Sequence, residues 1–224
     1  MPENPNRVAI LERLSSVRSW PALWLFVAVI CFTALADSLA TPALIDFDSH
    51  LAASIGAWRG KGLDQWMLFL TAFGGWYMTL IALAATIGLW TTHHRREAGM
   101  VVLATAGAML LNVLLKFAID RPRPDATLIH LISGTRFASF PSGHTMGAVA
   151  TLGSMLLVAQ RLGVPVWALW LGWLMSGLVT AGIGLSRIYL GAHFASDVLG
   201  GLLASAAWLV IAGSLERSLQ TQAG

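Results

Sequence analysis

Charged residues are scarce in this sequence: only 11% of its 224 residues are Asp, Glu, Lys or Arg, against about 25% in an ordinary soluble domain. Cysteine is scarcer still, because Cys31 stands alone and no disulfide can form within the chain. The 14 basic residues are scattered rather than clustered, which argues against nucleic-acid binding. Apolar residues are abundant: 56% of the residues are hydrophobic, and the mean hydropathy is +0.70. This composition indicates an integral membrane protein.

Six long apolar segments predict six transmembrane helices, since a bilayer core about 30 Å thick needs about 20 apolar residues per helix. They cover approximately residues 20–40, 66–90, 98–118, 144–160, 166–185 and 194–214. Several connecting loops are short, so we expect a single all-α membrane domain spanning residues 1–224. Between the first two segments, the stretch from Asp46 to Trp58 predicts an amphipathic helix lying on the membrane surface.

Three short polar clusters stand at the ends of these apolar segments, where ionisable groups in a membrane protein usually mark a functional site. They are the run from Lys116 to Pro124, the tetrapeptide Pro141-Ser142-Gly143-His144, and the segment from Ser186-Arg187 through His193 to Asp197. They supply fixed cations, two imidazoles and a carboxylate. Those groups together can bind a phosphate and attack its phosphorus.

The third cluster predicts a nucleophile. His193 and Asp197 are four residues apart at the start of the last segment, so their side chains can touch. A carboxylate that holds one imidazole nitrogen fixes the tautomer and leaves the other nitrogen free to attack. The alternative is that Asp197 only caps or solvates the start of a helix.

The other two clusters predict phosphate binding. Ser142 and Gly143 open the fourth segment, where the free N–H groups of a helix start attract anions, and His144 is placed to act as a general acid. Lys116 ends the third segment, and the proline that follows Arg123 stiffens the chain there. The alternatives are an ordinary helix cap and interfacial cations that reach the headgroups.

In their order and spacing the three clusters resemble the signature of the type-2 phosphatidic-acid phosphatase superfamily, and no position of the signature departs from the pattern. The resemblance covers residues 116–197 and favours the membrane branch, which includes lipid phosphate, undecaprenyl-pyrophosphate and phosphatidylglycerophosphate phosphatases. It implies that His193 becomes a phosphohistidine, that Asp197 orients it, and that His144 protonates the leaving oxygen.

The resemblance also implies which residues bind the phosphate, and it implies no metal and no other cofactor. The phosphate-binding residues would be Lys116, Arg123, Ser142, Gly143 and Arg187. The expected substrate is a lipid phosphate or diphosphate that enters from the bilayer, undecaprenyl pyrophosphate first, then phosphatidylglycerophosphate or phosphatidic acid. The alternatives are a lipid-to-lipid phosphotransferase and a protein that binds or flips phospholipids without turnover. Membrane lipids are the other expected partners, and the oligomeric state is open.

Loop charge predicts the orientation. With the amino terminus in the cytoplasm, seven basic residues lie on each side, but Lys116, Arg123 and Arg187 on the outer side belong to the clusters. Without these, seven inner residues stand against four outer ones, which favours cytoplasmic termini and a site facing the periplasm or outside of an inner membrane. The first span contains Ala34-Leu-Ala36, which imitates a signal-peptide cleavage site, yet we expect the segment to be retained because the span continues past Ala36.

Overall fold

Helices account for nearly all of the regular structure in a computed structural model of the protein, which describes residues 20–124 and 138–222. In chain order they are α1 Trp20–Ser38, α2 Pro42–Gly56, α3 Lys61–Ala72, a π-helical turn Phe73–Tyr77, α4 Met78–Thr91, α5 Arg95–Ile119, α6 Gly143–Arg161, α7 Val166–Tyr189 and α8 Ala195–Gln222. No strand occurs within these ranges. The expectation of an all-α membrane bundle is confirmed.

Five helical segments of the described residues are long and apolar enough to cross a membrane. They are Pro21–Ser38, Lys61–Thr91, Arg95–Ile119, Val166–Tyr189 and Ala195–Ser218. Each coincides with a predicted span. The sixth predicted span coincides with α6, which is less apolar, so the count of six is approximate and depends on counting α6.

Helix α6 is surrounded by protein, which explains its lower hydropathy. Its buried residues recur around the whole helix, as at Thr145, Ala150, Thr151 and Gly153. Small side chains of this kind let neighbouring helices approach closely in membranes. At Gly153, an added Cβ would lie 2.6 Å from a methyl group of Leu209 on α8. Because neighbouring helices cover α6, it does not need the continuous apolar surface of a helix that faces lipid.

The second span is interrupted at its centre. Gly75 has non-helical backbone angles (φ −98°, ψ −110°) inside the π-helical turn that separates α3 from α4. π-Helical turns within helices often accompany functional sites. Its position matters because Gly75 faces His144 at the start of α6.

The helix predicted between the first two spans is present as α2, and one of its faces is buried within the protein. Asp48, Ala52 and Ile55 are buried, at the spacing of four and three residues that places them on one helix face. Asp46 and Phe47 on the same helix are exposed. The buried face of α2 therefore carries a carboxylate into the protein.

Candidate active site

The three polar clusters meet at one end of the bundle and are joined by backbone hydrogen bonds. The Ser139 N–H, just before the second cluster, donates to the carbonyl of Arg121 in the first (2.8 Å). The Ser142 N–H donates to the carbonyl of Asp197 in the third (2.9 Å). Residues that are 76 positions apart in sequence, such as Arg121 and Asp197, are thereby in direct contact.

The predicted contact between His193 and Asp197 is present, although His193 lies two residues before the start of α8 rather than within the helix. The distance from His193 Nδ1 to Asp197 Oδ2 is 3.4 Å. The same Oδ2 accepts hydrogen bonds from the Ser139 hydroxyl and from the Phe194 N–H (2.8 Å). The carboxylate is thus held from several sides, and it faces Nδ1 of the imidazole.

His193 is buried and uncharged at neutral pH. Burial lowers the pKa of its imidazole to about 4, with Arg187 and Arg123 acting in the same direction and Asp197 opposing them. A neutral imidazole whose Nδ1 faces a carboxylate carries its lone pair on Nε2. His193 therefore needs no deprotonation step before it can act as a nucleophile.

Two cations of the first cluster are held in place by backbone carbonyls. Lys116 Nζ donates to the carbonyls of Ala138 and Ser139 (3.4 Å for the latter), and Arg123 Nη1 donates to the carbonyl of Ala192 (2.8 Å). Burial lowers the pKa of the Arg123 guanidinium, and Asp197 opposes that shift. Arginine nevertheless stays protonated in proteins, so Arg123 is a fixed positive charge.

Arg187, in the last turn of α7, is the most deeply buried of the three predicted phosphate-binding cations, with 3% of its surface exposed. Its Nη1 donates to the Thr71 hydroxyl (2.6 Å), while its buried Nε has no hydrogen-bond partner among the residues that the structure describes. A buried donor without a partner is costly. An anionic ligand beside Arg187 would supply the missing acceptor.

The tetrapeptide Pro141-Ser142-Gly143-His144 begins α6 as predicted, with Ser142 at the N-cap. The buried Ser142 hydroxyl makes no capping bond and instead accepts one from the Thr145 hydroxyl (3.1 Å). A Cβ on Gly143 would lie 2.9 Å from Asn112 Oδ1. Glycine at this position therefore leaves room for the Asn112 side chain of α5, a reason that the sequence pattern does not indicate.

His144 lies beside the interrupted second span. A Cβ on Gly75 would lie 3.2 Å from His144 Nε2, so the glycine leaves room for the imidazole. Lys116, Arg123, Arg187 and His193 all act electrostatically on His144. The structure thus brings every residue of the predicted site to one place.

Three contributors to this site were not predicted as site residues. Ser139 donates to Asp197, Arg121 Nη1 donates to Asp197 Oδ1 (2.6 Å), and Asp48 is in contact with Arg121 (2.8 Å). Arg121 could have been noticed, because it stands within the first cluster. Nothing in the sequence marks Ser139 or Asp48.

Residues 20–124 and 138–222 contain no group of three or more His, Cys, Asp or Glu side chains that could bind a metal ion. The convergent charges in the site are instead the side chains of Lys116, Arg123 and Arg187. A cluster of cations is suited to an anion with several oxygen atoms, such as a phosphate.

Comparison with known proteins identifies the family. The model of the PAP2 superfamily matches residues 97–217, more than half of the chain. The chain belongs to the PAP2 superfamily. The match includes all three polar clusters, and the resemblance inferred from them is confirmed.

Curated relatives of the chain are bacterial lipid phosphatases by name. Phosphatidylglycerophosphatase B of Bacillus subtilis is 32% identical over 174 residues, which cover 76% of this chain and 83% of that protein. Undecaprenyl-diphosphatase BcrC of the same organism is 34% identical over 143 residues, covering 63% of this chain and 68% of that protein. This chain is accordingly a membrane-embedded PAP2 lipid phosphatase.

Two solved structures share the fold. The transmembrane phosphatidylglycerolphosphate phosphatase of Bacillus subtilis superposes with a TM-score of 0.78 over 87% of this chain and 96% of that one, at 24% identity. LpxE of Aquifex aeolicus superposes with a TM-score of 0.54 over 74% and 93% respectively, also at 24% identity. At this identity the likeness establishes the architecture, and substrate choice has to be argued from the site.

Proposed function

We propose that the protein hydrolyses a lipid phosphate or diphosphate through a phosphohistidine intermediate. The observation that supports it best is the neutral His193, whose Nδ1 faces Asp197 at 3.4 Å and whose Nε2 is left for the attack. In the first step, Nε2 forms a bond to phosphorus while the bond from phosphorus to the lipid oxygen breaks. His144 donates a proton to that departing oxygen.

In the second step, water replaces the imidazole. His144, now neutral, accepts a proton from the water as its oxygen bonds to phosphorus, and the bond from Nε2 breaks to release inorganic phosphate. Asp197 favours the positive charge that His193 carries while phosphorylated. The negative charge of the bound phosphate offsets the field of the three cations at His144, which favours the protonated imidazole needed at the start.

The phosphoryl oxygens would be bound by Lys116, Arg123 and Arg187, together with Ser142 and Gly143 at the start of α6. The N–H groups and the partial positive charge of a helix start favour an anion at this place. Transfer of a phosphoryl group depends on positioning and on the stabilisation of negative charge. Three fixed cations provide that stabilisation, so we propose that the reaction is independent of metal ions.

A cavity beside Arg123 supports a substrate with an apolar tail. It has a volume of about 510 Å³, within the range of about 300–1,000 Å³ typical of small-molecule sites. Its lining is formed by Ala36, Leu39, Ala40, Ile45, Ile119, Asp120, Arg121, Pro122, Arg123 and Phe194. Apolar side chains from α1, α2 and α5 thus lead to a phosphate-binding cation. We propose that the part of the lipid tail next to the phosphate lies here.

Undecaprenyl pyrophosphate is our first choice of substrate, followed by phosphatidylglycerophosphate and phosphatidic acid. The distribution of basic residues in the loops favours an outward-facing site with cytoplasmic termini, and such a site can recycle an isoprenoid carrier released on the outer side. A curated relative named undecaprenyl-diphosphatase supports the same choice. The residues of the site bind phosphoryl groups rather than tails, so we expect activity on more than one lipid.

The purified protein should release phosphate from all three lipids in the presence of EDTA, with the highest kcat/KM for undecaprenyl pyrophosphate. The physical reason is that protein cations, not a metal, neutralise the phosphate. Phosphate release would be measured in detergent with and without EDTA. Loss of activity in EDTA that Mg²⁺ restores would contradict metal independence, and labelled phosphate that moves onto an added lipid instead of water would identify a transferase.

Blocking the cavity should discriminate between lipid and soluble substrates. In Ala40→Trp, the indole would fill the space next to Arg123, and we expect kcat/KM for a long-chain lipid phosphate to fall by at least about 10-fold, as for a lost apolar subsite. A short-chain, water-soluble phosphate ester should react as in the wild type. Ala34→Trp is the matched control, because Ala34 is exposed on α1 and does not line the cavity.

Equal losses on both substrates would mean that the tryptophan disturbs the phosphate site itself. Unchanged kinetics on both would show that the tail does not pass through this cavity. Either result contradicts the proposed path of the tail while leaving the phosphatase reaction in place.

A further inference from the structure

A buried ion network adjoins the proposed catalytic residues but lies outside the three-part signature. Asp48 on α2 is 0% exposed, Arg121 after α5 is 8% exposed and Asp197 on α8 is 0% exposed. One guanidinium thus lies between two carboxylates, each from a different helix. Removing one partner from a buried ion pair leaves an uncompensated charge and is strongly destabilising, so these three groups depend on one another.

Arg121 makes a separate contact with each carboxylate. Its Nη1 donates to Asp197 Oδ1 (2.6 Å) and its Nη2 donates to Asp48 Oδ2 (2.8 Å). The Phe194 ring lies under the guanidinium, with 4.5 Å between Cζ and the ring centroid. The planar group is therefore held at both ends and on one face, and it has little freedom to rotate.

Ser196 closes the network on the side of Asp48. Its N–H donates to Asp48 Oδ1 (3.1 Å), its hydroxyl donates to Asp48 Oδ2, and the same hydroxyl accepts from Arg121 Nη1 (2.7 Å). Helix α2 is thereby tied to the first turn of α8, which carries Asp197. The burial of Asp48 on an otherwise amphipathic helix is explained by these contacts.

Each oxygen of Asp197 has a different task. Oδ1 accepts a hydrogen bond from Arg121, whereas Oδ2 faces His193 Nδ1 and accepts a hydrogen bond from the Phe194 N–H. With Oδ1 held, the carboxylate cannot turn away from the imidazole. We propose that Asp48 and Arg121 are positioning residues that hold Asp197, and through it the His193 nucleophile, in the geometry for attack. This inference rests on the proposed reaction.

The direct test is the kinetics of Asp48→Asn with undecaprenyl pyrophosphate and phosphatidic acid as substrates. Asparagine keeps the shape and an acceptor for Ser196 but removes the charge that anchors Arg121. We expect kcat to fall by about 10- to 100-fold, the usual effect of losing a partner that orients a reactive group, while KM changes by less than about 2-fold because the residue does not touch substrate.

A double-mutant cycle separates positioning from general damage. If Asp48 acts through Asp197, Asp48→Asn should have almost no further effect on kcat in an Asp197→Asn background. Glu216→Gln is the matched control, since it removes the partly buried ion pair of Glu216 with Arg161 (2.5 Å) at the opposite end of the bundle. That control should leave kcat unchanged.

Ser196→Ala provides a milder variant if Asp48→Asn does not fold, because it loosens the Asp48–Arg121 contact without removing a charge. It should show a smaller fall in kcat in the same direction. Full additivity in the double variant, a rise in KM alone, or unaltered kcat in folded Asp48→Asn and Ser196→Ala would overturn the inference while wild-type activity upholds the proposed function. Wild-type protein that releases no phosphate from either lipid would overturn both.

Discussion

Removal of the His193 imidazole is expected to reduce phosphate release by at least about 10⁴-fold, the scale on which an enzyme loses rate with its nucleophile. Without Nε2 there is no atom to accept the phosphoryl group, and water would have to attack phosphorus directly. The measurement is single-turnover release from labelled lipid phosphate by His193→Ala. Wild-type protein quenched during turnover should carry acid-labile phosphate, and His193→Ala should carry none.

The control for His193→Ala is His50→Ala, which removes an exposed histidine of α2. It should retain wild-type turnover, which would show that loss of a histidine side chain does not by itself abolish activity. Substantial turnover by folded His193→Ala would end the phosphohistidine mechanism. Turnover without labelled protein in the wild type would instead indicate direct attack by water, with His193 as its base.

The residues of the candidate site stand out in the sequence because the chain contains so few charges. In an apolar sequence, Lys116, Arg123 and Arg187 stand out at span ends, and the spacing of His193 and Asp197 already indicates contact. Their assembly at one end also follows from the alternating direction of successive spans. What the pattern could not provide is distance, such as the 3.4 Å between His193 and Asp197.

Asp48 shows where sequence reasoning fails. On a helix predicted to lie at the membrane surface, an aspartate is expected to face water, and Asp46 is exposed as expected. Asp48 is buried because its partner Arg121 approaches from a segment 73 residues away. Hydrophobic periodicity records which face is apolar, but it contains no information on a buried ion pair between distant segments.

For helix α6 and the interruption at Gly75, the sequence likewise indicates the element but not its packing. The predicted span over residues 144–160 is correct in position. Because the neighbouring helices shield α6 from lipid, its low hydropathy does not reveal that it lies at the centre of the bundle. The Gly74–Gly75 pair is visible in the sequence as a site for a helix kink. That the kink makes room for His144 depends on the packing of α6 against the second span, which only the structure reveals.

Arg187 is the second residue whose change should have a large effect. Its Nη1 donates a hydrogen bond to Thr71, but its Nε lacks a partner among the described residues. The guanidinium is therefore held in position while one of its N–H groups can still bind a ligand. Lysine in its place would keep the charge and lose the planar arrangement of donors that binds two oxygens at once. In the transition state the negative charge is spread over the three equatorial oxygens of the phosphoryl group, and the contacts that lysine loses would be made to these oxygens.

We therefore expect Arg187→Lys to lower kcat/KM by about 10²- to 10³-fold, the effect of removing one donor to a developing oxyanion. Inhibition by orthovanadate, which imitates the five-coordinate phosphorus, should weaken in parallel. Arg161→Lys is the matched control, and Thr71→Val removes the supporting contact alone. If Arg187→Lys keeps wild-type kcat/KM and vanadate inhibition, Arg187 serves the packing of α7 against α3, and the phosphate is held by Lys116, Arg123 and the start of α6 without it.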